Sequence, residues 1–220
     1  MRKLFGFLLV VLMVCLNPLT TNSSTPEKES MVKISTEFGD MIVKLYNDTP
    51  IHRDNFLEKV KEGFYNGTLF HRTIPFFMAQ GGDPFSKNAT SEQALGRDNC
   101  NQIPAEILPH HFHKKGVLSA ARLPDGSNPD RKSSACQFFV VQGYPMNDQQ
   151  LANYPDMTPK RKAWYKARGG APYLDNQYTV FGEVVEGLEV IDLIIAVPTS
   201  TEGATKERPL EDVAMTMELM

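Results

Sequence analysis

A short apolar stretch of the sequence carries two polar side chains for which a plain core strand has no use. The segment from Phe70 to Asp83 is FHRTIPFFMAQGGD, and it places Arg72 and Gln80 among phenylalanine, isoleucine and methionine. A guanidinium keeps its charge and carries donors in a rigid planar fork. Held beside apolar surface, such donors can stabilise electron density that develops on a bound polar group. Arg72 and Gln80 therefore call for a functional explanation.

The elements that must position these residues are predicted to be mostly short strands. Residues 31–46 alternate apolar and polar positions around a Gly39-Asp40 turn, which predicts a β-hairpin. Thr49-Pro50 opens a predicted helix that ends at Gly63, and a second helix is predicted over 188–196. Further strands are predicted over 69–73, 77–80, 117–121, 137–141, 178–185 and 213–219. Seven or eight short strands with two helices, and no strict βαβ rhythm, favour an antiparallel barrel or sandwich with attached helices.

One segment departs from this strand-rich pattern. Residues 143–172 are polar, rich in Asn, Asp, Pro and Lys, and contain the single tryptophan of the chain. A helix is predicted from Thr158-Pro159 to Gly169-Gly170. Because structureless loops of this length are uncommon, we interpret the segment as a helical insertion, either a solvated cap or a partner surface.

The first thirty residues have a composition that a folded domain would not have. Arg2 and Lys3 precede an apolar run that is shorter than the roughly 20 residues a membrane-spanning helix needs. A Thr-, Ser- and Asn-rich linker follows. We therefore expect residues 1–30 to be a signal peptide or lipoprotein signal plus linker, and residues 31–220 to form one domain. Cys15, at the end of the apolar run, is a candidate for lipidation, and the alternative is a cysteine in a discarded leader.

The overall charge excludes two classes of partner. The chain has 23 basic and 26 acidic residues, a formal net charge of −3. The chain has no basic excess of the kind that indicates nucleic-acid binding, and it has no acidic tail of the kind that indicates a solvating role.

The remaining cysteines and the histidines offer weaker hypotheses. Cys100 and Cys136 could pair in an oxidising compartment, but the sequence cannot place their Cα atoms, and we expect two free thiols. His110, His111 and His113 could bind a divalent ion. No carboxylate or thiol has an obvious ligand spacing beside them, so we expect solvated loop histidines and no metal.

Four motifs in the chain resemble a known family when they are taken together. They are Phe70–Asp83, GVLSAAR at 116–122, QFFVV at 137–141 and YTVFGEVVEG at 178–187. In order and spacing they are similar to the cyclophilin-type peptidyl-prolyl cis-trans isomerases, over nearly all of residues 31–220. The resemblance implies a closed eight-stranded antiparallel β-barrel capped by two α-helices, and a cofactor-free isomerase of X–Pro bonds.

The resemblance also implies roles for individual residues. Arg72 would stabilise the twisted imide, while Gln80 would hydrogen-bond the substrate backbone and help to hold the arginine. The substrate-binding residues implied in this way are Phe77, Met78, Ala121, Arg122, Gln137, Phe139, Tyr173, Leu174 and Tyr178. Arg122 would contribute mainly through its main chain.

Structural explanations compete with these roles. Arg72 could be a surface cation whose stem lies on apolar neighbours, and Phe139 and Leu174 could be ordinary core residues. Departures from the eukaryotic pattern, with Tyr173 for Trp, Tyr178 for His and Arg122 for Asn, resemble the bacterial branch.

The sequence thus favours an exported prolyl isomerase of the periplasm or cell envelope. It would be a monomer, with membrane attachment through the N-terminus if Cys15 is acylated, and would act on proline-containing polypeptides. The alternative is a catalytically weak proline-peptide-binding module or envelope chaperone. A metal-dependent enzyme built on the three neighbouring histidines is a weaker third hypothesis.

Overall fold

The computed structural model describes residues 28–97 and 100–220 of the chain. The leader and Cys15 lie outside the described residues. The strands are β1 (Met31–Thr36), β2 (Gly39–Leu45), β3 (Thr68–Leu69), β4 (Arg72–Ile74), β5 (Met78–Gly81), β6 (Gln102–Ile103), β7 (Val117–Ala120), β8 (Ser133–Ser134), β9 (Phe138–Val141), β10 (Val180–Glu186) and β11 (Ala214–Leu219). The helices are α1 (Pro50–Lys61), α2 (Asp148–Leu151), α3 (Pro159–Arg168) and α4 (Val190–Ala196).

Nine strands form one curled antiparallel sheet in the order β3-β11-β1-β2-β10-β7-β9-β5-β4, and β6 pairs separately with β8. The mainly β, antiparallel architecture is confirmed. The sheet has nine strands and not the eight that the family resemblance implied, because Phe70 and His71 divide the strand predicted over 69–73 into β3 and β4. These two strands form the ends of the hydrogen-bonded order and do not pair with each other, so closure of the barrel stays a prediction.

The two capping helices bury one apolar face each against the main core. Phe56 and Val60 of α1, and Ile191 and Ile194 of α4, pack with inward-facing residues of β1, β2 and β11. Thr49 is the N-cap residue of α1, as predicted, although its Oγ1 donates to the carbonyl of Tyr46 at 3.3 Å and caps no backbone N–H of the helix. Pro at the first helical position still fixes the start of the helix, because its missing N–H costs nothing there.

Residues 143–172, which we interpret as an insertion, contribute to a small core of their own. Leu151 of α2 and Tyr165 of α3 pack with Met146, and Phe112 contacts this group from a preceding loop. The helix predicted at Thr158-Pro159 is present as α3, while α2 is only four residues long. None of the described helices is both long enough and apolar enough to cross a membrane.

A buried histidine at the β3–β4 junction gives the fold a pH-dependent stability. His71 is buried, neither of its ring nitrogens makes a hydrogen bond within the described residues, and burial lowers its pKa to about 4. The unfolded chain takes up this proton near pH 6.5. The stability that the neutral ring provides is therefore complete above pH 6.5 and is lost as the pH falls from 6.5 towards 4.

We expect the free energy of unfolding to fall by about 2–3 kcal/mol more in wild type than in His71→Leu between pH 7.5 and 4.5. Urea denaturation at the two pH values measures this difference. Leu193→Ala, an exposed position without a titratable group, should keep the wild-type pH dependence. Equal pH dependence in wild type and His71→Leu would show that the ring is not held neutral by burial.

Candidate active site

The register of three neighbouring strands aligns the candidate catalytic residues. Arg72 of β4 lies directly opposite Gln80 of β5, and Gln80 lies opposite Phe139 of β9. Directly opposed residues of an antiparallel pair project from the same face of the sheet. Met78, two residues before Gln80, shares that face because side chains alternate along a strand. A guanidinium, a carboxamide and an apolar surface therefore lie side by side.

These residues line one open cleft of about 350 Å³. The predicted site residues that line it are Arg72, Phe77, Met78, Gln80, Ala121, Arg122, Phe139, Leu174 and Tyr178. Two predicted residues do not line it: Gln137 lies behind Gln80, and Tyr173 lies outside the cleft against the Phe77 ring. The arginine and the apolar surface thus belong to the same site.

Arg72 is held in a way that leaves part of its guanidinium free. Its Nε donates to Oε2 of Glu207 at 2.7 Å, and Nη1 lies 3.5 Å from Oε1 of Gln80. Nη2 makes no hydrogen bond to any residue in the described part of the chain. The side chain of Arg72 is 41% exposed. The Nη edge can therefore donate to a molecule bound in the cleft.

Gln80 is fixed by a chain of hydrogen bonds that continues behind the cleft. Its Nε2 donates to Oε1 of Gln137 at 2.9 Å, and Nε2 of Gln137 donates to the carbonyl of Arg97 at 2.8 Å. With its amide nitrogen held in this way, Gln80 presents its oxygen towards Arg72. Gln137 therefore acts on the site by orienting Gln80.

The apolar part of the cleft is well buried. Met78, Phe139 and Leu174 belong to one cluster, and Phe77 packs beside them with its ring centroid 6.4 Å from that of Phe139. Tyr173 packs on the outer side of Phe77 at 5.6 Å and is 48% exposed. Aromatic and thioether surfaces of this kind accommodate a small saturated ring.

The charge of Arg122 is satisfied by partners within the protein. Its guanidinium donates to the carbonyls of Gln177 and Leu123 and pairs with Asp125 at 2.6 Å, and the group lies 4.4 Å above the ring of Tyr178. These partners already occupy the donors of the guanidinium, so Arg122 is less suited than Arg72 to donate to a bound molecule.

The cysteine prediction is wrong. Cys100 and Cys136 form a disulfide with a Cα–Cα distance of 6.0 Å, well within the usual range. They are 36 residues apart, so no sequence spacing revealed that their segments would meet. Cys136 directly precedes Gln137, so the bridge anchors the support of Gln80.

Comparisons with known proteins agree with this geometry. A family model described as cyclophilin type peptidyl-prolyl cis-trans isomerase/CLD matches residues 31–218. The chain belongs to this cyclophilin family. It is a peptidyl-prolyl cis-trans isomerase.

Relatives and solved structures extend the comparison. A provisionally named peptidyl-prolyl cis-trans isomerase from Staphylococcus saprophyticus is 32% identical over 198 residues, 88% of this chain and 93% of the relative. A provisionally named bifunctional phosphatase/peptidyl-prolyl cis-trans isomerase from Streptococcus pyogenes is 35% identical over 83% of this chain, which spans only 37% of that relative. A cyclophilin-type isomerase from Cryptosporidium parvum, 22% identical, superposes with a TM-score of 0.63 over 87% of this chain and 98% of its own, and supports the fold.

The structure of this cyclophilin also shows site residues that the sequence did not reveal. Leu95, Gly96, Leu123 and Pro124 complete the walls of the cleft. Gly96 is held there because buried Asp83 accepts a hydrogen bond from its backbone N–H at 2.7 Å. This explains the acidic end of the Phe70–Asp83 motif, since its carboxylate fixes a cleft wall thirteen residues away.

His113 is buried, so the expectation of solvated loop histidines is wrong for this residue. Its ring is nearly parallel to Phe139 at 6.3 Å, its Nδ1 lies 3.1 Å from Asp175, and burial lowers its pKa. Asp175 also accepts a hydrogen bond from Tyr165 of the insertion at 2.9 Å. Asp175 therefore links the segment 143–172 to His113, whose ring lies against Phe139.

Glu207 is a positioning residue for Arg72, and its own position is tightly set. Its backbone N–H donates to Ser200, its carbonyl accepts from Thr73, and its φ of 70° is in a region that non-glycine residues rarely adopt. Such backbone strain persists where surrounding contacts over-determine it. Glu207 thereby holds one edge of the guanidinium and leaves the other for substrate.

We expect Glu207→Gln to lower kcat about three- to tenfold with KM nearly unchanged, because a charge-assisted hydrogen bond is roughly twice as strong as a neutral one. Glu207→Ala should lower kcat further. The matched control is Glu202→Gln, an exposed residue of the same loop, which should behave as wild type. Steady-state isomerase kinetics measure the effect, and unchanged or increased kcat in Glu207→Ala would contradict the positioning role.

Proposed function

We propose that Arg72 is the catalytic residue of this isomerase and that it acts on X–Pro bonds of unfolded chains bound in the cleft. The observation that carries this proposal is the free Nη edge of Arg72 beside the apolar surface of Met78 and Phe139. The proline ring would lie on that surface while the residue before it turns.

The chemistry asked of the site is modest. Resonance gives the C–N bond its double-bond character and a rotation barrier of roughly 20 kcal/mol. In the twisted transition state the resonance is lost and the nitrogen becomes pyramidal and more basic. A guanidinium N–H aimed at that nitrogen binds the twisted form better than either planar isomer, which is what lowers the barrier.

Gln80 would have two functions in this mechanism. Its oxygen lies 3.5 Å from Nη1 of Arg72, so it can limit the swing of the guanidinium. It also lines the cleft, where it can hydrogen-bond the substrate backbone. The Cryptosporidium isomerase has been solved in the presence of the dipeptide Ala-Pro, with a TM-score of 0.60 to this chain. That neighbour supports a proline-containing peptide as ligand here.

The proposal includes an exported setting, in the periplasm or cell envelope. It is supported by the charged and then apolar N-terminal sequence and by the disulfide, because disulfides persist in oxidising compartments. The enzyme would act as a monomer, anchored by lipid if Cys15 is acylated. Mass spectrometry of the mature N-terminus decides between an acylated Cys15 and a cleaved leader. A mature chain that still begins at Met1 would contradict export by this signal.

The activity is tested with a protease-coupled assay on a short X–Pro peptide. Wild-type protein should raise the isomerisation rate in proportion to its concentration. Phe139→Ala should raise KM, because the proline ring of the peptide loses part of the apolar surface on which it would lie. Leu193→Ala, an exposed residue of α4, is the control. Binding of the peptide with no rate above background would instead support the proline-peptide-binding module.

A further inference from the structure

Three metal-binding side chains meet outside the cleft. Asp48 follows β2, while His110 and His111 lie in the loop before β7. Their side-chain ligand atoms all lie within 4.8 Å of one another. None of the three lines the cleft that holds Arg72. The carboxylate that was missing from the sequence near the histidines is therefore supplied from 62 residues away.

The two imidazoles point the same nitrogen at one carboxylate. Nε2 of His110 lies 2.7 Å from Oδ2 of Asp48, and Nε2 of His111 lies 2.8 Å from Oδ1. The ring of His111 is nearly parallel to that of Tyr46, with centroids 4.2 Å apart, which fixes its orientation. Two of the three ligands are thus already directed towards the third.

The surroundings leave room for an ion with its water. The side chains of His110 and Asp48 are 63% and 47% exposed, while His111 is 15% exposed. The other three histidines of the chain, His52, His71 and His113, are buried. Any ion that binds imidazole at the described surface should therefore bind here.

We propose that Asp48, His110 and His111 form a binding site for a divalent ion of the Zn²⁺ class. Two imidazole nitrogens and one carboxylate oxygen suit borderline ions such as Zn²⁺, whereas Mg²⁺ and Ca²⁺ prefer oxygen ligands alone. The donor set carries one negative charge, and water completes the coordination. Binding joins the loop before β7 to the segment between β2 and α1.

An ion bound at this site should change the stability of the protein and not its isomerase chemistry. An ion bound only to the folded chain raises its stability by mass action. Since no ligand contacts the cleft, isomerase turnover should be the same with and without Zn²⁺. This separates the site from a metal-dependent enzyme, which would lose activity with a chelator.

The test is a competition between the full chain and a chromophoric chelator for Zn²⁺, with Mg²⁺ as the comparison ion. We expect one site per chain, no competition by Mg²⁺ at equal concentration, and a melting temperature that rises with Zn²⁺. His110→Ala and Asp48→Asn should each weaken binding at least about tenfold, since loss of even a residue that orients a metal ligand costs 10- to 100-fold.

The matched control is Asp148→Asn, an exposed carboxylate that pairs with Lys166. It should bind Zn²⁺ as wild type does. Isomerase turnover of each variant confirms that the fold is intact, because these residues lie outside the cleft. No saturable Zn²⁺ binding by wild type, or equal affinity in wild type and His110→Ala, would overturn the proposal.

Discussion

Arg72→Ala should lower kcat/KM for an X–Pro peptide by about 100-fold or more while the peptide still binds. Removal of one fixed donor from a preorganised site typically costs 10²–10³ in rate, or roughly 3–4 kcal/mol of transition-state stabilisation. KM should change little, because the Met78 and Phe139 surface that holds the ring remains. The loss is measured as kcat and KM separately in the protease-coupled assay.

Two further variants make this result specific. Arg72→Lys keeps the charge but loses the planar fork and the Nε bond to Glu207, so it should recover only a small part of the rate. Arg168→Ala removes an exposed arginine of α3 that lies over Trp164, and it should leave kcat unchanged. Equal kcat in wild type and Arg72→Ala, with unchanged melting temperature, would show that the guanidinium is not the catalytic group.

Loss of the disulfide should have the largest effect on stability. The bridge closes a segment of 36 residues, and in the chain-entropy account its removal costs about 2–4 kcal/mol. The Cys100→Ser/Cys136→Ser double variant should therefore denature at lower urea concentration than wild type. Activity should fall as well, because Gln137, next to Cys136, holds Gln80, and the Arg97 carbonyl that holds Gln137 is three residues before Cys100 in the sequence.

Reduction provides the control for this prediction. Dithiothreitol should destabilise wild type to about the level of the double variant and should leave the double variant unchanged. If wild type under reducing conditions keeps its urea midpoint and its kcat, the bridge contributes neither to stability nor to the cleft.

Local sequence patterns placed the centre of the site but not its supports. Arg72, Met78 and Gln80 lie on two strands joined by a short turn, so their shared face follows from strand alternation alone. Glu207 meets Arg72 across 135 residues and comes from a loop with no distinctive pattern, so only the tertiary fold could reveal it.

The same distinction explains the wrong and missing predictions. The Cys100–Cys136 bridge and the carboxylate beside His110 both depend on distant segments meeting in the fold. The short helix α2 does have a local signal, since Asn147 and Gln150 form a capping box, but its four residues are too few to show a helical period. The longer α3 was predictable because Thr158-Pro159 are typical of the start of a helix and Gly169 is typical of its end.

The central claim is that the Nη edge of Arg72 stabilises a twisted X–Pro bond in the cleft. NMR exchange spectroscopy on a peptide with comparable cis and trans populations tests it most directly, because binding and turnover are observed in one sample. With wild type, we expect cis–trans exchange cross-peaks, and with Arg72→Ala, peptide shifts that still report binding but no exchange. Exchange of equal rate with both proteins, or binding to wild type without exchange, would contradict the account.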